Sequence, residues 1–182
     1  MTVWIVHPTD ADGQLLVSTL RRAGAQAEYA WPPPERWPAN LDAAYWLLGG
    51  RSRVLPTAPE EIDAALIAVL EPGTAELQRL LADCSPHAVL SKPFHPFAIL
   101  TSLMAARNVV RYERRLKAKV RKLEETLRSI RQVEQAKAIL MRVRNLGEEQ
   151  AYEFLRKRAM DRRVPVGSVA AAIIEANDFL TS

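Results

Sequence analysis

The sequence predicts an α/β domain with a doubly wound parallel sheet, then a long coiled-coil helix, then a C-terminal three-helix bundle. Short apolar runs alternate with helical segments through about the first hundred residues, which is typical of parallel strands joined by crossover helices. No helix breaker interrupts the chain from Phe97 to Asn145. In the last third, apolar residues recur at helical spacing in three separate segments.

Length and composition are those of an ordinary globular protein. The 182 residues suit one large domain or two small ones, and 48% apolar with 25% charged residues is usual for such folds. A formal net charge of +4 permits a nucleic-acid partner without requiring one. The single cysteine, Cys84, fits a reducing compartment. The N-terminus has no signal-peptide pattern and no apolar run approaches the ~18 residues of a membrane span, so we expect a cytoplasmic protein with no membrane partner.

Five apolar runs are the predicted strands of the first domain. They are Val3–Val6, Ala25–Tyr29, Ala43–Leu48, Leu66–Leu70 and Ala88–Leu90. After the first run, Asp10 or Asp12 can cap a helix that ends at Gly24. After the fourth run, Thr74 can cap a second helix. The apolar faces of these two helices carry Leu15, Leu16, Thr19 and Leu20 in the first and Leu77, Leu80 and Leu81 in the second.

Lys92-Pro93-Phe94 follows the fifth predicted strand. With the order of elements, this tripeptide makes residues 1–106 resemble the receiver domains of response regulators, which have a flavodoxin-like fold. The resemblance implies an acidic pair after the first strand to hold Mg²⁺, a phosphate-accepting aspartate ending the third, and a hydroxyl residue after the fourth. Those places are held instead by His7-Pro8, Leu48-Gly49 and Leu70-Glu71. We therefore expect a pseudo-receiver with no phosphoacceptor, in which the nearby acidic residues are caps and turn residues: Asp10, Asp12 and Asp42.

A proline-rich segment, Trp31–Pro38, stands between the second and third predicted strands. Its four prolines exclude a helix and predict a stiff, extended connection. One interpretation is a rigid loop whose tryptophans pack on the edge of the sheet. The other is a surface that docks a protein partner through Trp31 and Trp37, because tryptophan is an effective anchor and a stiff loop loses little entropy on binding.

Residues 107–130 carry a coiled-coil seam. Apolar residues recur every seven residues along one line of the predicted helix, with spacings of four and three from Leu116 onward, and charged residues flank them. The seam comprises Val109, Leu116, Val120, Leu123, Leu127 and Ile130. One explanation is a single helix packed on its own domain. We favour a parallel homodimer, because a helix of about 50 residues has too few intramolecular surfaces to cover the seam.

Residues 131–182 predict three short helices that bury their apolar stripes against one another, because helices of this size are not stable alone. A turn at Asn145-Leu146-Gly147, with Gly147 ending the first helix, and a break at Arg163-Val164-Pro165 separate them. The stripes comprise Val133, Ala136, Leu140 and Val143, then Ala151, Leu155 and Ala159, then Val166, Val169, Ala170 and Ile173.

This pattern resembles the ANTAR domain, the three-helix RNA-binding module of transcription antiterminators. The resemblance is carried by Ala136-Lys137 and Leu140-Met141, then Glu149, Ala151, Leu155-Arg156, Ala159-Met160 and Arg163, then Val169-Ala170. Gly167-Ser168 departs from it, since a charged pair is commoner there. The resemblance implies binding to RNA hairpins, whose loop bases are recognised by stacking and edge contacts while Arg and Lys contact phosphates. We expect the RNA surface to comprise Lys137, Arg142, Tyr152, Arg156, Met160 and Arg163.

The order of pseudo-receiver, coiled coil and ANTAR domain, with the Trp-Pro-Pro-Pro-Glu run at Trp31, makes nearly the whole chain resemble the antitermination regulators of amidase operons. The resemblance implies a dimer that binds tandem hairpins in a nascent leader RNA and prevents a terminator from forming. It also implies a negative regulator that senses a ligand, a small-amide sensor of the periplasmic-binding-protein type, which holds the protein inactive.

Nothing in the sequence predicts catalysis, a cofactor or a metal site. The three histidines lack metal-ligand spacing with one another or with Cys84, and no phosphate-binding loop or nucleophile motif occurs. Two other functions stay open. A DNA-binding, response-regulator-like transcription factor would use Val166–Phe179 as its recognition helix, although this segment has no Arg or Lys. A protein-only dimeric scaffold would bind no nucleic acid.

Overall fold

Five parallel strands form the sheet of the N-terminal part of the chain. The computed structural model describes residues 1–34, 37–38, 40–48, 64–73 and 77–181. The strands lie in the order β2-β1-β3-β4-β5, every neighbouring pair is parallel, and this is the flavodoxin-like order. The doubly wound parallel sheet predicted from the sequence is confirmed. Its strands are β1 (Thr2–Val6), β2 (Gln26–Tyr29), β3 (Ala43–Leu48), β4 (Ala65–Leu70) and β5 (Ala88–Ser91).

Both faces of the sheet are covered by packed side chains and helices. Side chains alternate between the two faces along each strand, so neighbouring residues of one strand belong to different cores. Tyr45 and Leu47 of β3 point to a core that includes α1 (Ala11–Arg22) and the beginning of α3 (Pro96–Arg144). Trp46 points to the other core, which α2 (Leu77–Cys84) covers. All residues of β3 and β4 are buried, as their unbroken apolar runs predict.

Asp10 caps the first helix, as predicted. Its Oδ1 atom accepts a hydrogen bond of 2.9 Å from the backbone N–H of Gly13. Gly13 is needed there, because a Cβ atom would lie 2.3 Å from the carbonyl oxygen of Pro8. The predicted cap Thr74 falls outside the described residues.

The proline-rich segment packs against the sheet. The Trp37 ring lies 6.3 Å from that of Trp4 and 5.2 Å from that of Trp46, measured between centroids. Trp31 and Trp37 are both half-buried against the same core as α2. The segment thus covers part of one sheet face, which is the packing interpretation of its tryptophans; Glu35 and Arg36 lie outside the described residues.

The chain divides into two units, Met1–Arg115 and Leu116–Ser182, and α3 contributes to both. In the second unit, α3 packs with α4 (Glu148–Arg162) and α5 (Val166–Thr181), as the sequence predicts. Gly167 lets α5 approach α3 closely, because a Cβ atom there would lie 2.4 Å from the Oγ atom of Ser129. The buried core comprises Ala136, Leu140, Ala151, Leu155, Ala159, Val169 and Ala170.

Two details of the bundle differ from the prediction. Helix α3 ends at Arg144, the next residue Asn145 has a left-handed φ of +52°, and Gly147 is the N-cap of α4 with φ −71°. Asparagine tolerates the left-handed conformation better than other residues with side chains, so glycine is not required at that end. Val143, predicted in the buried stripe, is 67% exposed, and Leu146 from the turn packs against the core.

Among the described residues, no helix combines the length and the hydropathy that crossing a lipid bilayer requires. This includes α3, which is 49 residues long but densely charged.

Candidate functional site

Four of the six residues predicted to contact RNA form one row on α4. Tyr152, Arg156 and Met160 are spaced four residues apart, and Arg163 follows directly after the helix. The row lies beside the buried stripe of α4 and points to solvent: Tyr152 is 47% and Met160 69% exposed. An aromatic ring, a thioether and two guanidinium groups on one exposed face can stack on bases and contact phosphates. We call these four residues the α4 row.

Arg163 occupies an unusual backbone conformation at the end of this row. Its φ and ψ angles are 54° and 41°, in the left-handed region that glycine normally fills at this position. Two backbone hydrogen bonds close the helix end, from the N–H of Arg163 to the Met160 carbonyl (3.1 Å) and from the N–H of Val164 to the Ala159 carbonyl (3.0 Å). An arginine costs about 1–2 kcal/mol more than a glycine in this conformation.

The other two predicted RNA contacts have protein partners. The Lys137 ammonium lies 2.8 Å from Glu148 Oε1 and 2.9 Å from Glu134 Oε2. Hydrogen bonds to Glu148 and Glu134 raise the pKa of Lys137, and the same contact lowers the pKa of Glu148. Arg142 donates a hydrogen bond of 3.2 Å to Asn177 Oδ1. Lys137 therefore ties α3 to the beginning of α4, and a phosphate contact would compete with its carboxylates.

The Phe154 ring contacts the guanidinium groups of two arginines that were not among the predicted RNA-contact residues. The guanidinium carbon of Arg144 lies 4.9 Å from the Phe154 ring centroid, and that of Arg158 lies 5.4 Å from it. Phe154 also packs against the bundle core. The signal for Arg158 was its spacing of four residues from Phe154 on α4, whereas the Arg144 contact depends on how α3 and α4 pack.

The predicted coiled-coil seam is exposed on α3 in the single chain. Its six residues are between 39% and 64% exposed. An apolar stripe of this size on a helix is typical of a surface that another molecule covers.

The pseudo-receiver has a polar pocket where ligands bind in sheets of this kind, at the carboxyl ends of the strands. The Lys92 ammonium lies between two carboxylates, 3.1 Å from Asp12 Oδ2 and 3.0 Å from Glu71 Oε1. Burial by itself would lower the pKa of Lys92, but hydrogen bonds to Glu71 and Asp12 outweigh it and leave the pKa above its ordinary value. The pocket is lined by Pro8, Asp10, Asp12, Leu47, Glu71, Pro72 and Lys92.

One cluster beside this pocket was missed by the sequence prediction. His7, Asp10 and Asp12 bring one potential ligand atom each within 4.8 Å of one another. The prediction compared the histidines only with one another and with Cys84, whereas the β1–α1 loop brings His7 to two aspartates. Both carboxylates already have protein partners, because Asp10 caps α1 and Asp12 pairs with Lys92. Burial would raise the pKa of Asp10, but the Gly13 N–H and the charges of His7 and Lys92 lower it overall.

Two family models match the chain. The model "AmiR, N-terminal" matches residues 1–107, and the model "ANTAR domain" matches residues 121–174.

Curated relatives are regulators by name. The aliphatic amidase regulator of Pseudomonas aeruginosa is 27% identical over 185 residues, covering 96% of this chain and 91% of that protein. The transcriptional regulatory protein PdtaR of Mycobacterium tuberculosis is 31% identical over 122 residues, covering 65% of this chain and 60% of that protein.

Solved structures confirm the receiver-like fold. The response regulator StyR superimposes with a TM-score of 0.54 at 14% identity, covering 96% of this chain and 98% of that chain. NtrX from Brucella abortus gives a TM-score of 0.50 at 13% identity, covering 70% of this chain and 33% of that chain. At these identities the likeness concerns the fold alone.

We expect Arg163→Gly to raise the free energy of unfolding by about 1 kcal/mol, because glycine adopts the left-handed conformation without the steric cost that arginine bears. Arg162→Gly is the matched control, one residue earlier and still inside α4, and should lower the free energy of unfolding by about as much. Denaturant titrations followed by circular dichroism measure both. A loss of stability in Arg163→Gly would mean that this side chain stabilises the bundle itself.

Proposed function

Because the chain belongs to the family of regulators that share the AmiR N-terminal domain, and carries an ANTAR domain, we propose that it is a cytoplasmic transcription antitermination regulator that binds hairpins in nascent leader RNA as a dimer. We propose further that a ligand-sensing protein partner controls it, and that phosphorylation does not. The partner would resemble a periplasmic binding protein that senses a small amide, which fits the name of the aliphatic amidase regulator to which the chain is similar.

The observation that carries this proposal is the α4 row. Tyr152 is about half exposed and Met160 largely exposed although both are apolar over most of their surface, and Arg156 and Arg163 are exposed near them. Stacking on an aromatic face suits the unpaired bases of a hairpin loop, and arginine suits the phosphates on either side. A helix inserted into the major groove of DNA is a poorer explanation, because α5 carries no Arg or Lys and its middle packs into the core.

A dimer explains the seam on α3. In a parallel, in-register pair, the seam residues occupy the a and d positions, Lys119 takes a g position and Glu124 the following e position. Lys119 of one chain then faces Glu124 of the other, so the charges beside the seam attract each other in this orientation. Two tethered bundles gain affinity for two tandem hairpins, because the second contact forms at a high effective concentration.

The pocket of the pseudo-receiver supports control without phosphorylation. The third strand ends in Leu48 where a phosphoacceptor aspartate would stand, and Glu71 replaces the hydroxyl residue after the fourth. Lys92 supplies the positive charge that Asp12 and Glu71 would otherwise share with a metal ion. Trp31 and Trp37 stay the predicted docking residues, and loss of partner binding in a Trp31→Ala variant that still folds would support that role.

We expect Arg156→Ala to weaken hairpin binding and Lys157→Ala to change it little, because Arg156 belongs to the α4 row and Lys157 points away from it. If the arginine recognises a loop base, its loss should cost about 1–3 kcal/mol of binding free energy and relax the preference for loop sequence. If the arginine contacts only phosphate, its loss should lower the slope of log K against log salt concentration by about one. Hairpins selected from a pool with randomised loops, and a duplex DNA of matched length, are the probes.

Unchanged affinity in Arg156→Ala would move the RNA site away from the α4 row. Equal affinity for duplex DNA and hairpin RNA would favour the DNA-binding alternative. No binding to either would leave the protein-only scaffold.

We expect the triple variant Leu116→Gln, Leu123→Gln and Leu127→Gln to be monomeric in analytical ultracentrifugation. Removing a buried leucine costs roughly 2–5 kcal/mol, so three losses exceed what a coil of this length supplies. Ala118→Gln with Glu125→Gln, at outward positions of the same helix, should stay dimeric. A dimeric triple variant would place the interface on other residues.

We expect no phosphoryl adduct after incubation with acetyl phosphate and Mg²⁺, because no aspartate ends β3. Intact-mass spectrometry without acid treatment detects such an adduct directly, and an active receiver domain is the positive control. A stoichiometric adduct on Asp10, Asp12 or Asp42 would show that the pocket has kept receiver chemistry.

A further inference from the structure

The positive charge of α3 is concentrated in one short stretch. Between Arg114 and Lys122, six of nine residues are basic and none is acidic, although the whole chain has a net charge of only +4. We call Arg114–Lys122 the basic segment. It lies between the residues of α3 that pack on the sheet and those that pack in the bundle, and none of its residues is predicted above to contact RNA.

The basic side chains of this segment are exposed and mostly lack partners. Arg115, Lys117, Lys119, Arg121 and Lys122 form no ion pair with any residue that the structure describes. Lys92 and Lys137, in contrast, each lie between two carboxylates. The charges of these five side chains are therefore directed to solvent.

The seam decides which of these charges a dimer would leave accessible. With Leu116, Val120 and Leu123 at the seam, Lys117 and Lys119 flank it, while Arg115, Arg121 and Lys122 fall at outward positions. Arg115 and Lys122 are seven residues apart, which corresponds to about 10.5 Å along the helix axis. A parallel dimer presents such a row on each of its two outer sides.

Folding of the single chain gains nothing from this arrangement. Arg115 and Lys119 are four residues apart, as are Lys117 and Arg121, and like charges at this spacing repel on a helix. Pairing two chains adds the attraction between Lys119 and Glu124, but the outward charges of the two basic segments gain no partner from it. A polyanion that lies along the outward rows would attract these basic side chains and offset their mutual repulsion.

We propose that the basic segment is a second RNA-contact surface, which binds the phosphates of the strands flanking a hairpin while the α4 row binds its loop. The proposal rests on the function proposed above. Phosphate contacts of this kind need Arg and Lys and no fixed sequence, which fits a row of basic residues with no exposed aromatic residue among its outward positions. A protein partner is a poorer match, because lysine is depleted from protein interfaces and aromatic anchors are enriched there.

Two pairs of variants and two RNAs test the proposal. Arg121→Gln with Lys122→Gln removes two outward charges, and Arg22→Gln with Arg79→Gln removes the same net charge from exposed positions on α1 and α2. One RNA is a selected hairpin alone, and the other is the same hairpin with about ten unpaired nucleotides on each side. Both are titrated across a range of salt concentrations against the full-length protein, and sedimentation checks that each variant is dimeric.

The wild-type protein should bind the flanked RNA more tightly than the isolated hairpin. The Arg121/Lys122 variant should bind the isolated hairpin like the wild type, lose about tenfold in affinity for the flanked RNA near 0.1 M salt, and show a salt slope lower by about 1.5. The Arg22/Arg79 variant should match the wild type on both. Glu125→Lys adds positive charge at an outward position beside the segment and should tighten binding of the flanked RNA but not of the isolated hairpin. This variant tests the proposal if the double variant does not fold.

Equal affinities of the wild type and the Arg121/Lys122 variant for the flanked RNA would overturn the proposal. So would an equal loss in the control pair, which would assign the effect to net charge. A wild type that binds neither RNA would refute the proposed function and this inference with it, whereas hairpin binding without a flank effect would refute this inference alone. Capture of an acidic protein with no effect on RNA would also overturn it.

Discussion

Helix α3 runs without a break through three different surroundings, namely the core of the sheet, an exposed middle and the core of the bundle, and the rest of the structure depends on this continuity. Near its beginning, Ile99 and Ala106 are buried against the sheet; near its end, Ala136 and Leu140 are buried against α4 and α5. Between them the apolar residues of the seam are exposed in the single chain. A helix is stabilised mainly by packing of its apolar side rather than by intrinsic propensity. Within the part of the chain that the structure describes, the middle of α3 has no such packing against the N-terminal or the C-terminal core.

The pseudo-receiver keeps the architecture of its fold and satisfies internally the charges that such a pocket contains. Lys92 lies between Asp12 and Glu71, and Asp10 caps α1, so the acidic groups at the carboxyl edge of the sheet have partners within the chain. On one face of the sheet, the Trp37 ring fills space between Trp4 and Trp46 where a doubly wound fold would have a helix after β2.

The regular elements could be predicted from the sequence because their signals are local. The unbroken apolar runs of β3 and β4, and the breaker-free stretch of α3, depend on neighbouring residues alone. Tyr152, Arg156 and Met160 share a face of α4 because helical spacing fixes that face. The parts that could not be predicted depend on tertiary placement. Lys137 pairs with Glu148 only because α4 begins beside α3, and Phe154 meets Arg144 for the same reason. The helix end at Asn145 was misassigned because both asparagine and glycine tolerate a left-handed backbone.

The contact between Gly167 and Ser129 has a mechanical consequence. Ser129 touches the first turn of α5, and its neighbour in the chain, Ile130, is the last residue of the seam. A single turn of α3 therefore carries the last residue of the seam on one side and contacts the third helix of the bundle on the other, with no linker between them. Any twist or shift of α3 at Ile130 has to displace α5 by a similar amount or open the Ser129 contact. A molecule bound along the seam would in this way act on the bundle without touching it.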